Sequence, residues 1–230
     1  WHTLSLHDAL PIYLSHQLLR DLTPERREEI EAMMHSITSD RGALLQLTAE
    51  AMDLFNTTVE AHPDVRYYSY ATAAPRLNTT LVYRNFLVPL FPLFYPLFLT
   101  LHQLSAQASS SYPYPEFPSR LMGTAMMTYG FFPNKHDSDG VVPTCSQLWG
   151  RLAGLVLADH LDGCGHFYQD HRDEGSEEYT DWFQSGSGFS CQAFEALYRD
   201  ITARLLEKEP PAVALPGFTS LGDGISFRRD

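Results

Sequence analysis

Basic residues are scarce in this chain: 16 Lys and Arg stand against 28 Asp and Glu, for a formal net charge of −12. Phosphate backbones bind to basic faces, so nucleic acid is not an expected partner. The acidic balance bears on solubility and salt response and leaves the fold open. Cysteine is nearly absent too. Cys145, Cys164 and Cys191 form an odd set with no CxxC pair, which argues against a zinc ribbon or a thioredoxin-like centre. One disulfide is allowed, so an oxidising compartment is permitted without being required. The longest apolar run, Phe86–Leu101, has 16 residues and is interrupted by Pro89, Pro92 and Pro96. That is too short and too broken for a membrane-spanning helix, and no transmembrane anchor is expected. No charged segment leads into an apolar core at the start, so no signal peptide is visible, and residues 1–12 read as a leader foreign to the fold. No repeat of solenoid period occurs.

What is present is ordinary globular material: 44 % hydrophobic and 19 % charged residues over 230 positions, enough for one sizeable core. Thr23 as N-cap, Pro24 at the first helical position and Ile30, Met33, Met34 and Ile37 at helical spacing predict a short helix. A second is expected from Thr48 through Met52 and Phe55. Val65–Tyr70, rich in aromatic and β-branched residues, predicts a strand. The Phe/Leu/Pro run is open to two readings, a proline-rich buried wrap or an apolar flap beside a lipid-binding mouth. Ser105–Pro118 reads as loop, Asp170–Asp181 as a solvated acidic insertion, and Gln147–Leu157 as helix, with Leu148, Leu152 and Leu155 inward. Cys191–Glu207 is a further helix, stopped by Pro210 and Pro211. The tail over 210–230 reads as irregular. Two N-x-[ST] tripeptides, at Asn56 and Asn78, would carry glycans only in a eukaryotic secretory setting.

The block Lys135–His166 carries the chemistry. Asp139-Gly140 follows a polar turn, and Asp159-His160-Leu161-Asp162 follows some twenty residues later. A carboxylate on one loop and a histidine on a later one is what a hydrolytic triad requires, because the acid fixes the imidazole tautomer and stabilises the imidazolium. Asp137 is a competing candidate for the acid; the Asp-Gly turn favours Asp139. A second chemistry stays open, a metal centre built from His160, Asp162, His166, His171 and Asp170.

Asp-Gly-Val-Val-Pro-Thr-Cys-Ser followed by Asp-His-Leu-Asp resembles bacterial true lipases of the Pseudomonas/Burkholderia type. The match extends to Leu-Thr-Ala-Glu-Ala-Met-Asp-Leu-Phe-Asn and Val-Arg-Tyr-Tyr-Ser-Tyr upstream, covering about residues 45–72 and 135–167. The resemblance implies an α/β-hydrolase fold, present in part. It would comprise lid-like helices over 13–60 and the last strands, acid loop, histidine loop and terminal helix over 61–209, with an apolar insertion at 81–118. It also implies ester hydrolysis of lipid-like substrates at an apolar interface by a secreted parent. Asp139 would be the acid, His160 the base, and Asp162 a ligand of a structural calcium that the chemistry itself does not require.

The sequence departs from that pattern in several places. Ser138 stands where the family has Asn, Asp159 replaces the residue before the histidine, and the calcium loop's later Gln falls at His166. Glu116 is a poor second calcium carboxylate. Cys145 sits at a family disulfide position without a partner near 50–65; Cys164–Cys191 would be a different bridge. No Gly-x-Ser-x-Gly nucleophile turn occurs, and Ser187 follows the histidine without the motif spacing. The serine is therefore expected upstream of Trp1, and these 230 residues alone are expected to be inert. A non-catalytic relative that keeps the fold as a binding surface is the remaining alternative.

Overall fold

The computed structural model describes residues 61–76, 91–105, 116–167, 181–208 and 213–227, with isolated positions 24, 28, 55 and 210. The leader and the helices expected over 13–60 lie outside these residues, apart from Pro24, Glu28 and Phe55, which are helical. The described residues form a mixed α/β structure. Its elements are β1 (Tyr68–Ala73), α1 (Phe91–Ser105), α2 (Met122–Tyr129), β2 (Arg151–Leu157), α3 (Cys191–Leu205), β3 (Ala214–Leu215) and β4 (Phe218–Ser226). The strands make one sheet in the order β1-β2-β4-β3, with β1 and β2 parallel and the other pairs antiparallel.

Helices cover the central strands on both faces. On one side α2 supplies Leu121 at its N-cap with Ala125 and Tyr129, which pack with Ala71, Ala73, Leu152 and Leu155. On the other, Ala193, Ala196 and Leu197 of α3 meet Val156, Phe189 and Phe218. Two-sided burial explains the first correction to the sequence reading. Gln147–Leu157 is not a helix: a 3₁₀ turn, Thr144–Gln147, precedes the strand β2. Leu152 through Val156 are all buried, and a strand covered on both faces reads as a continuous apolar run rather than an alternating one. Leu148, Leu152 and Leu155 happened to fit helical spacing, and periodicity cannot separate the two cases over so short a run.

Three further boundaries move. The first strand begins at Tyr68, not Val65, which is half exposed in the lead-in. The tail is not irregular: β3 and β4 form a hairpin through Pro216-Gly217, with Gly217 at φ +87°. Gly222 and Gly224, both at positive φ, disguise β4 in the sequence; they lie in a bulge where four residues oppose the one skipped in β2. That bulge receives Arg204, whose guanidinium donates to Gly222 O at 2.6 Å and pairs with the buried Asp200 at 2.6 Å. The third is the proline-rich run, whose latter part is the helix α1. Pro92 falls in its first turn, where a missing N–H costs nothing, and Pro96 sits on its exposed side. All three cysteines are free thiols, so no Cys164–Cys191 bridge forms.

Candidate active site

The site lies at the C-terminal ends of the parallel pair β1 and β2, the edge at which parallel sheets present ligand-binding loops. After β1, the Ala74 N–H donates to Ser138 O at 2.8 Å, which docks the acid loop on the strand end. After β2, Ala158 N–H donates to Ala73 O, and His160 N–H donates to Asp139 O at 2.8 Å. The two loops are thus joined through backbone before any side chain is considered.

The acid loop is a tight turn closed by Asp139 N–H to Val142 O and Thr144 N–H to Asp137 O. Gly140 is required there twice over. Its φ is +99°, and a Cβ would lie 2.6 Å from the ring of Phe98. Asp139 is buried, and its Oδ1 accepts the N–H groups of Val141 at 2.9 Å and Val142 at 2.7 Å. Its Oδ2 faces Nδ1 of His160 at 3.0 Å and the Thr72 hydroxyl at 2.8 Å. His160 is 41 % exposed at its side chain, and the bond to Asp139 raises its pKa against the opposing effect of burial. With the Nδ1 proton committed to the carboxylate, Nε2 is left as a base, with no hydrogen-bond partner among the described residues.

The competing acid, Asp137, is occupied elsewhere. Its two oxygens take the Arg76 guanidinium in a bidentate pair at 2.8 and 2.9 Å, and the Asn134 N–H besides. Ser138 holds the apolar helix α1. Its Oγ lies 2.5 Å from His102 Nδ1 and 2.9 Å from Ser105 Oγ, both on α1. Burial depresses the pKa of His102, which stacks on Phe98. Phe98 and its neighbours on α1 pack with Val141 of the acid loop, Leu161 of the histidine loop and Phe183. The latter part of the apolar run therefore buttresses both loops.

Beneath the histidine lies a second constellation. Asp162 is fully buried and meets Asp159 and Asp181, with ligand-type oxygens all within 4.8 Å of one another. Asp159 accepts Leu161 N–H, Asp162 N–H and the Ser185 hydroxyl. Asp162 Oδ2 accepts Asp159 N–H at 2.9 Å and Ser187 Oγ at 2.6 Å; its Oδ1 is buried with no hydrogen-bond partner among the described residues. Burial raises all three carboxyls, Asp159 to about 6, Asp181 to about 7 and Asp162 well above the carboxylate range; the charge of Asp139 adds to the rise at Asp159, those of Asp159 and Asp181 at Asp162, and that of Asp159 at Asp181. No Lys or Arg pairs with any of them among the described residues.

The sequence reading placed Asp162 here and missed both partners. In the sequence Asp159 stands only as a departure from a pattern, and Asp181 ends a stretch that reads as a solvated insertion. Whether an acidic residue in a loop is solvated or buried depends on what folds over it, and composition is blind to that. Of the histidine cluster, His160 is engaged with Asp139 and His166 Nδ1 accepts Trp182 Nε1 at 3.0 Å, so neither joins the carboxylates. His171 and Asp170 lie outside the described residues.

Among the described residues, no helix is long and apolar enough to cross a membrane. Comparison of the chain with protein-family models, curated proteins and solved structures finds no significant match.

Proposed function

We propose that this chain is the acid-and-base part of a lipase-type carboxylic ester hydrolase with a partial α/β-hydrolase fold. The observation that carries this reading is the Asp139 Oδ2 to His160 Nδ1 bond of 3.0 Å, at the C-terminal edge of a parallel strand pair, with Nε2 without a hydrogen-bond partner among the described residues. In such a reaction His160 takes the proton of a serine hydroxyl as that oxygen bonds to the ester carbon. It then returns the proton to the departing alkoxide, and repeats both transfers with water to release the acid. Asp139 holds the Nδ1–H tautomer and stabilises the imidazolium. The serine and its oxyanion-binding groups must come from a longer parent chain, since no elbow motif is present here.

The calcium implied by the family resemblance fits Asp159, Asp162 and Asp181. Ca–O distances of about 2.4 Å place opposite ligands about 4.8 Å apart, and the buried Oδ1 of Asp162 has no hydrogen-bond partner among the described residues. When bound there, such a cation would supply charge balance and a clamp between the histidine loop and residues 181–187, and no part of the bond-making. We infer a secreted protein acting at a lipid or ester interface.

The test is fluorophosphonate labelling of the parent protein. Labelling is expected to reach a serine upstream of this segment, to disappear in His160→Ala, and to withstand zinc chelators. A parent without a labelled serine removes the hydrolase reading.

A further inference from the structure

Resting on that reading, we propose that Thr72 and Gln147 are positioning residues that orient Asp139 and thereby set the tautomer of His160. Thr72 is on β1, and Gln147 ends the 3₁₀ turn before β2. The side-chain amide of Gln147 bonds Thr72 as a neighbouring strand would: Oε1 accepts Thr72 N–H at 2.6 Å, and Nε2 donates to Thr72 O at 3.2 Å. It also donates to Val142 O at 3.2 Å and approaches Asp139 Oδ2 at 3.5 Å. One amide thus ties the strand to the acid turn. Flipping it would set N–H against N–H at Thr72, so its orientation is determined by the network.

The Thr72 hydroxyl lies 2.8 Å from both Asp139 Oδ2 and Gln147 Oε1 and has one proton for two acceptors. Gln147 Oε1 already takes the Thr72 N–H, and a carboxylate is the stronger acceptor, so the proton goes to Asp139. The consequence is geometric. The N–H groups of Val141 and Val142 pin Oδ1 and leave the carboxylate free to twist about it. The Thr72 hydroxyl pins Oδ2, and the twist that aims Oδ2 at Nδ1 is then fixed. Thr144 reinforces the strand end by donating its hydroxyl to Thr72 O at 2.9 Å. Neither Thr72 nor Gln147 touches His160 among the described contacts, so both act through Asp139.

Nitrogen-15 spectra of histidine-labelled full chain, at one pH where His160 is neutral, read the tautomer directly. The His160 signals are assigned by their loss in His160→Gln. Wild type is expected in the Nδ1–H form. Thr72→Val, which keeps the shape, should shift population toward the Nε2–H form; Gln147→Met should do the same, and Thr72→Ser should retain the wild-type spectrum. In the active parent, Thr72→Val should lower kcat by about 10- to 100-fold at unchanged KM. If either folded variant, Thr72→Val or Gln147→Met, keeps the wild-type tautomer, the proposal is overturned. A tautomer shift in a parent that fails to label with fluorophosphonate would sink the hydrolase reading alone and leave the positioning role standing.

Discussion

Exchanging Asp159 for asparagine should stabilise the chelator-treated protein at pH 8. In the wild type, Asp159 is fully buried, and burial is the first cause of its rise from 3.8 to about 6. At about 1.4 kcal/mol per pH unit, ionising Asp159 costs about 3 kcal/mol more in the folded chain than in the unfolded one. The sign follows from the direction of the shift. A carboxyl whose folded pKa is raised contributes stability below its ordinary pKa near 4 and loses it as pH climbs through about 6; Asp181 extends the loss to about 7. Asparagine keeps an oxygen to accept the N–H groups of Leu161 and Asp162 and an amide to face Ser185, while removing the charge. For a domain of this size about 1 kcal/mol moves Tm by roughly 2–4 °C, so Asp159→Asn should raise Tm by about 6–12 °C at pH 8 in chelator and by little at pH 4. Calcium should raise wild-type Tm at pH 8 and raise that of Asp159→Asn less. Thermal unfolding followed by circular dichroism at both pH values, with chelator or calcium, decides the matter. A variant whose Tm matches wild type at pH 8 in chelator would refute the buried-charge account.

Two other perturbations probe the frame that carries the site. Phe98→Ala removes a fully buried ring from between α1 and the acid turn and should cost about 3–5 kcal/mol in urea unfolding; a loss under about 1 kcal/mol would mean that α1 does not pack there. Arg204→Ala leaves Asp200, which is fully buried, without its cation and should cost about 3–5 kcal/mol. Arg204→Met with Asp200→Asn should recover much of that loss, because a neutral pair leaves no unpaired charge, and a double variant no better than the single one would contradict this.

How much was legible in the sequence depended on how local the determining physics was. Asp139-Gly140 announced a tight turn because only glycine accepts φ +99° with an aromatic ring against its Cα, and His160 and Asp162 stood in a compact motif. α3 was visible because one face is buried and the other solvated, so its apolar residues recur at helical spacing, and Ser190 caps it by accepting Ala193 N–H. β2 and β4 were misread for opposite reasons. Burial on both faces erased the alternation of one, and bulge glycines interrupted the other.

By itself, the sequence determined the acidic character of the chain, the helix that begins at Cys191, and which loop residues could act as acid and base. Only the tertiary structure shows which of Asp137 and Asp139 meets His160, because Arg76, 61 residues away, claims the former and leaves the latter to the histidine. It also decided that Asp181 is half-buried against Asp159 and Asp162, and that Gln147 completes the edge of a strand 75 residues earlier. Those outcomes depend on which distant segments arrive at the same sheet edge. Burial and hydrogen-bond partnership are properties of that arrival, and a one-dimensional pattern does not encode them.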